Sequence, residues 1–174
     1  MARSKRAVTA LAAAAATGMS LVVFTATYLT MPWEAKRNVA YWDAIGHVWT
    51  VCYGETLNVK QGDSYTDQQC LEKLRKRLSA DYEQPLRECI TNFDSVPFSV
   101  QASFLDLAWN VGVKAVCNST AARRAMARDW PGACDAMALF NKAGGHVIRG
   151  LDLRRKNGDA ARIGDREICL AGVA

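Results

Sequence analysis

The chain of 174 residues is half hydrophobic and 22% charged, with a net charge of +5, which suits one soluble domain with a core plus an appendage. Arg3, Lys5 and Arg6 precede an uncharged run over residues 7–33, and all 17 acids lie from Glu34 onward. The body is therefore only mildly basic and has no clustered basic stripe. Nucleic acid is not an expected partner, whereas a polyanionic cell-wall polymer is tolerated. No two cysteines have C-x₂₋₄-C spacing and His47 and His146 stand far apart, so no metal or other cofactor is expected.

The uncharged run is long enough for a bilayer, which takes about 20 residues. Small and hydroxylated residues dominate it, including Ala12 to Ala16, so its preference for lipid is marginal. It reads as a cleaved signal, a permanent anchor or an anchor that later leaves the membrane. Thr25-Ala26-Thr27 is a poor cleavage site because apolar residues resume at Tyr28 and Leu29. In each form the basic N-terminus stays in the cytoplasm and everything beyond Trp33 is exported by the host machinery. Residues 1–33 thus form an anchor segment and residues 34–174 a separate domain. Six cysteines, Cys52, Cys70, Cys89, Cys117, Cys134 and Cys169, all follow the leader, as three disulfides in an oxidising compartment require. Fifteen pairings are possible.

Past the leader, Glu34 to Tyr41 reads as a helical turn or two with Glu34 near its start. Val48 to Tyr53 favours strand, punctuated by Gly46, Gly54 and Gly62, and implies a small hairpin or three-stranded sheet. Thr66 and Gln69 form a capping box ahead of Cys70, Leu71, Leu74, Leu78 and Tyr82, predicting a helix of about 18 to 22 residues. Pro97 opens the next helix and Gly112 closes it, with Val100, Phe104, Leu105, Ala108 and Trp109 inward. Asn118-Ser119 starts another. Pro131 marks a third that Gly144-Gly145 should stop, and a last helix follows Asn157-Gly158 with Ile163, Ile168 and Leu170. The order is α+β: a small N-terminal β-hairpin lobe, a mostly helical C-terminal lobe, and an N-terminal hydrophobic helix ahead of both.

Glu34 and Asp43 lie at a helix-to-strand transition with Thr50 in the following strand. Inverting glycosidases place a protonated acid and a water-activating carboxylate about 6.5–9.5 Å apart across the bond. Trp33 beside Glu34 favours a protonated acid, Asp43 at a turn stays ionised, and the Thr50 hydroxyl can hold the water. The plainer alternative is that Glu34 caps a helix and Asp43 begins a turn.

The run Glu34, Ala40-Tyr41-Trp42-Asp43, Gly46, Thr50-Val51-Cys52-Tyr53-Gly54 and Thr56 resembles the phage-type lysozymes of glycoside hydrolase family 24, specifically exported endolysins with a signal-anchor-release leader. The likeness continues through Trp109 to Gly112, Asn118 to Thr120 and Gly150 to Arg155 and covers residues 33–170. One departure stands out: six residues, not five, separate Asp43 from Thr50, an insertion expected to be absorbed by a bulge in the Asp43–Trp49 turn. The resemblance implies a monomeric lysozyme acting on peptidoglycan. Glu34 would be general acid, Asp43 would position water or stabilise the transition state, and Thr50 would hold water. It also implies that Arg154 or Arg155 reaches Glu34 while the other faces solvent, and that Trp42, Trp49 and Tyr53 either line the sugar groove or pack in the core.

For the disulfides, neighbours in sequence are the expected partners: Cys52 with Cys70, Cys89 with Cys117, Cys134 with Cys169. The leader has no cysteine, so control by a leader thiol is not available. Control is expected to be topological instead, with an inner-membrane tether through residues 7–33 holding Glu34 at the bilayer until release into the periplasm. A membrane-tethered wall-binding or inhibitory protein of the same fold without catalysis is the competing reading.

Overall fold

The computed structural model describes residues 4–44 and 46–173; Arg3 and Ile45 lie outside them. The leader does not form one uninterrupted hydrophobic helix. α1 (Lys5–Thr17) stops at Gly18, whose φ of 63° lets its own N–H and that of Met19 return to the carbonyls of Ala15 and Ala14. Ser20 then caps α2 (Leu21–Phe24), which continues through a π-wound stretch, Thr25–Thr30, into α3 (Met31–Trp33). Among the described residues no helix is long and apolar enough to cross a membrane.

The segment instead supplies core. Ala7, Ala10 and Ala14 recur at helical spacing and are buried, so that α1 lies close against α11 (Asp165–Ala171). Phe24 is fully buried, its ring 5.0 Å from Tyr28 and 5.1 Å from Phe98. The small side chains that make insertion into lipid marginal are those that allow this close packing on protein.

Glu34 ends a helix rather than beginning one. Its N–H donates to the Thr30 carbonyl at 3.1 Å and its own backbone is extended. β1 (Arg37–Asp43) replaces the expected helical turns because its residues find partners on two sides. Asn38 and Ala40 bond the loop at Tyr65 and Asp63, and Tyr41, Trp42 and Asp43 pair with Thr50, Trp49 and Val48 of β2 (Val48–Cys52). The irregularity falls in β1, between Arg37 and Tyr41. Pairing from Asp43–Val48 to Tyr41–Thr50 is regular, so the longer Asp43–Thr50 spacing is taken up between the two strands, where His47 has a φ of 51°.

The capping box forms as read: Thr66 Oγ1 accepts from Gln69 N–H and Gln69 Oε1 from Thr66 N–H. It opens α4 (Asp67–Arg77), which runs through a second π-wound stretch, Leu78–Glu83, into α5 (Gln84–Cys89). Each π stretch lies just ahead of a proline, Pro32 or Pro85. A proline has no N–H and crowds the carbonyl four residues earlier, and a wider turn relieves both.

α6 (Phe98–Val111) runs from Pro97 to Gly112 as predicted and is the central helix, buried along nearly its whole length. Around it stand α7 (Val113–Cys117), α8 (Thr120–Met126), capped by Ser119, and α9 (Trp130–Met137). α9 ends well before Gly144-Gly145. Both glycines take positive φ and turn a short hairpin of β3 (Lys142–Ala143) and β4 (His146–Val147), because such two-residue turns need left-handed backbone. α10 (Arg149–Arg155) follows directly. The disulfides are Cys52–Cys70, Cys89–Cys117 and Cys134–Cys169, joining sheet to α4, α5 to α7, and α9 to α11.

Candidate active site

The end of α3 is pinned from the C-terminal side of the chain. Trp33 Nε1 donates to the Ile163 carbonyl at 2.9 Å, and the Arg162 guanidinium lies 3.8 Å from the centre of the Trp33 ring. Glu34, the next residue, is therefore held at a defined place, its side chain 23% exposed and so open to a reactant. Arg154 Nη1 donates to Glu34 Oε1 at 2.8 Å.

Arg154 is itself oriented from behind. Its Nε and Nη2 donate to Asp106 Oδ2 and Oδ1 at 3.0 and 2.9 Å. Asp106 Oδ1 also accepts from the Thr30 hydroxyl at 2.9 Å. Arg155, expected to face solvent, is fully buried. It bonds Asn110 Oδ1 at 2.6 Å and pairs closely with Asp165, with Asp106 Oδ2 at 3.5 Å. A buried guanidinium needs acceptors, and α6 and α11 supply two carboxylates and an amide.

Burial raises the Asp106 carboxyl, but the Arg154 guanidinium, seconded by Arg155, outweighs burial and brings it down to about 2. Asp165 goes the other way. Burial pushes it up to about 7, with Asp106 opposing its ionisation and Arg155 only partly compensating. Arg154 is held more firmly protonated than an ordinary arginine, since Asp106 and Glu34 outweigh its burial. One signal of this network was present in the sequence: Asp106 is the only charge within the apolar helix Phe98–Val111, and a lone buried acid demands partners.

The hairpin presents the other two expected residues. Paired residues on antiparallel strands share a face, so Tyr41, Asp43, Val48 and Thr50 lie on one side of the hairpin. Trp42 and Trp49 lie on the other, in an edge-on contact at 5.7 Å between ring centroids. Asp43 Oδ1 accepts from Gly46 N–H at 3.2 Å, which ties its carboxylate to the turn. Thr50 is 4% exposed, and its hydroxyl makes a long contact to the Val48 carbonyl at 3.4 Å. Of the aromatic residues, Tyr53 is buried in the core, Trp49 is half-buried and Trp42 is exposed.

The arrangement can do acid–carboxylate chemistry: a fixed, accessible Glu34 at the end of a helix and an Asp43–Thr50 face on the hairpin that follows it. The phage lysozyme family model matches residues 31–158. The SAR-endolysin of Enterobacteria phage P21 is 32% identical over 169 residues, spanning 92% of this chain and 94% of that one. Among solved structures, the active form of the P1 phage endolysin Lyz superposes with a TM-score of 0.74 at 20% identity, covering 97% of this chain and 95% of that one. A P22 lysozyme mutant gives a TM-score of 0.68 at 22% identity, over 98% and 99%. With the match spanning helix end, hairpin and helical lobe together, the chain belongs to the phage lysozyme family and is an endolysin with muramidase activity, a glycoside hydrolase.

Proposed function

We propose that the chain hydrolyses the β-1,4 bond between N-acetylmuramic acid and N-acetylglucosamine of peptidoglycan, with Glu34 as general acid. Asp43 stabilises positive charge on the sugar or positions the attacking water, and Thr50 helps hold that water. The observation carrying this reading is the 2.8 Å contact from Arg154 Nη1 to Glu34 Oε1, which singles out one accessible carboxyl and fixes its orientation. An acid held in place contributes roughly 10²–10⁴ to such a reaction.

The same reading assigns residues 7–33 two successive environments. The uncharged run of small and apolar residues tethers the chain to the inner membrane after export. On release into the periplasm it breaks at Gly18 and packs on α6 and α11 as described. Support comes from its marginal lipid preference, from its burial in the core, and from the SAR-endolysin relatives, which align along nearly the whole chain.

The test is digestion of peptidoglycan by the full-length, detergent-free chain, followed by muropeptide analysis. Reducing ends at muramic acid are expected. Peptide cleavage or 1,6-anhydro ends would overturn the assignment. Full-length protein is needed because removing residues 4–33 would strip Ala7, Phe24 and Leu29 from the core.

A further inference from the structure

We propose that Thr30 and Asp106 are positioning residues for the reaction: the Thr30 hydroxyl orients the Asp106 carboxylate, Asp106 clamps Arg154, and Arg154 sets the Glu34 carboxyl. The proposal rests on the reading of Glu34 as the acid. Asp106 is fully buried, as is Thr30. The carboxylate holds Arg154 through two donors, Nε at 3.0 Å and Nη2 at 2.9 Å. A guanidinium is planar, so two fixed donors fix the third. That third nitrogen, Nη1, is the one directed at Glu34, at 2.8 Å.

Two cations compete for Asp106, since Arg155 Nη1 also approaches Oδ2, at 3.5 Å. The Thr30 hydroxyl, 2.9 Å from Oδ1, decides the outcome by holding the carboxylate in the orientation that favours Arg154. Asp165 pairs with Arg155 and takes up that guanidinium, and its carboxyl also meets Asp106 directly. Thr30 also accepts the Glu34 N–H at its carbonyl, at 3.1 Å. One helical turn therefore anchors both ends of a closed ring, Thr30, Asp106, Arg154 and Glu34, and a shift of any member moves the acid.

The experiment is steady-state hydrolysis of peptidoglycan fragments by the full-length chain, comparing Thr30→Val, Thr30→Ser, Arg154→Lys and the Thr30→Val, Arg154→Lys double variant. Valine keeps the shape of threonine and removes the donor. A loose acid gives the expected signature: kcat falls about tenfold for Thr30→Val with KM unchanged, and Thr30→Ser restores it. In the Arg154→Lys background the same substitution changes kcat by less than about twofold, because the ring is already open.

Unchanged kcat in Thr30→Val overturns the proposal, as does a full further loss in the Arg154→Lys background. If Thr30→Val is recovered unfolded, Thr30→Ala is measured in its place against Thr30→Ser with the same criteria. Glu34→Gln separates the two levels. Full activity there removes the reading of Glu34, whereas an inactive Glu34→Gln beside a normal Thr30→Val removes only the ring.

Discussion

Arg6 and Glu167, 161 residues apart in sequence, form a two-pronged ion pair, with Nε to Oε1 and Nη2 to Oε2 both at 2.7 Å. The same guanidinium bonds the Asn157 carbonyl at 2.8 Å, and the Ser4 hydroxyl adds a short bond to Glu167. A basic residue of the expected cytoplasmic flank thus fastens α1 to the first turn of α11. The placement suits an anchor that leaves the membrane and then docks.

Arg6→Ala is expected to lower stability by about 1 kcal/mol at neutral pH, since the pair is partly screened by solvent. In a chain of this size that is a fall of roughly 2–4 °C in Tm. Burial raises the Glu167 carboxyl, but Arg6, Ser4 and the Gly164 N–H together hold it below the ordinary glutamate range. The contribution is therefore complete above the unfolded-state value, about 4.3, and vanishes as pH falls through the lower folded value. The gap between the melting curves of Arg6→Ala and the parent chain should narrow under acid conditions to what the bond to the Asn157 carbonyl contributes; a gap as wide at pH 2 as at neutral pH counts against the pair.

Asp165 carries the opposite sign. Its folded carboxyl titrates at about 7 against an unfolded value near 3.9, so the folded state binds the extra proton between the two. Stability therefore declines as pH rises from about 4 to 7 and levels off above that. Replacing it by asparagine, Asp165→Asn, should remove this decline while leaving the acid-side loss due to Asp106, whose carboxyl is held down to about 2. Urea denaturation across this range reads the slope directly, and an unaltered slope in the variant would show that the titrating group lies elsewhere.

Glu34→Gln and Asp43→Asn separate the two carboxylates. The first should lower kcat by roughly 10²–10⁴ with little change in KM, as loss of a general acid does. For Asp43→Asn a fall in kcat without altered folding is also expected, because the Gly46 N–H can still be accepted by the amide oxygen. Equal activity of Glu34→Gln and the parent would remove the proposed chemistry.

Cys134–Cys169 closes the longest of the three loops, 35 residues, and ties α9 to α11, which α1 packs against. Replacing both cysteines by alanine should cost about 3–4 kcal/mol in the chain-entropy account. Because α11 carries Asp165 and Glu167, the loss should appear first as weakened docking of the leader. Amide exchange in α1 should accelerate before exchange in α4.

Much of the helical lobe was legible because its signals are local. The Thr66–Gln69 capping box, Pro97 and Gly112 around α6, and Ser119 ahead of α8 act within a few residues of where they stand. The disulfide pairings and an arginine on Glu34 were met as expected, but other local readings failed where a distant partner decided the conformation. Residues 37–41 were expected to be helical but form strand because residues 63–65 and β2 supply the bonds. Gly144-Gly145 looked like a helix stop and serves as a hairpin turn. One of Arg154 and Arg155 was expected to face solvent, and both are buried, because no local signal shows α6 and α11 closing over Arg155.

The sequence by itself determined the candidate chemistry and its setting: two acids and a threonine just past an uncharged segment, six cysteines in the exported part, and helices marked by their own caps. Spacing along one strand or one turn suffices for those. Only the tertiary structure decided which arginine reaches Glu34, that Thr30 and Asp106 stand behind it, and that the leader packs as core. Those outcomes depend on which buried charges find acceptors and which small side chains let helices approach, and such partners lie up to 163 residues away along the chain.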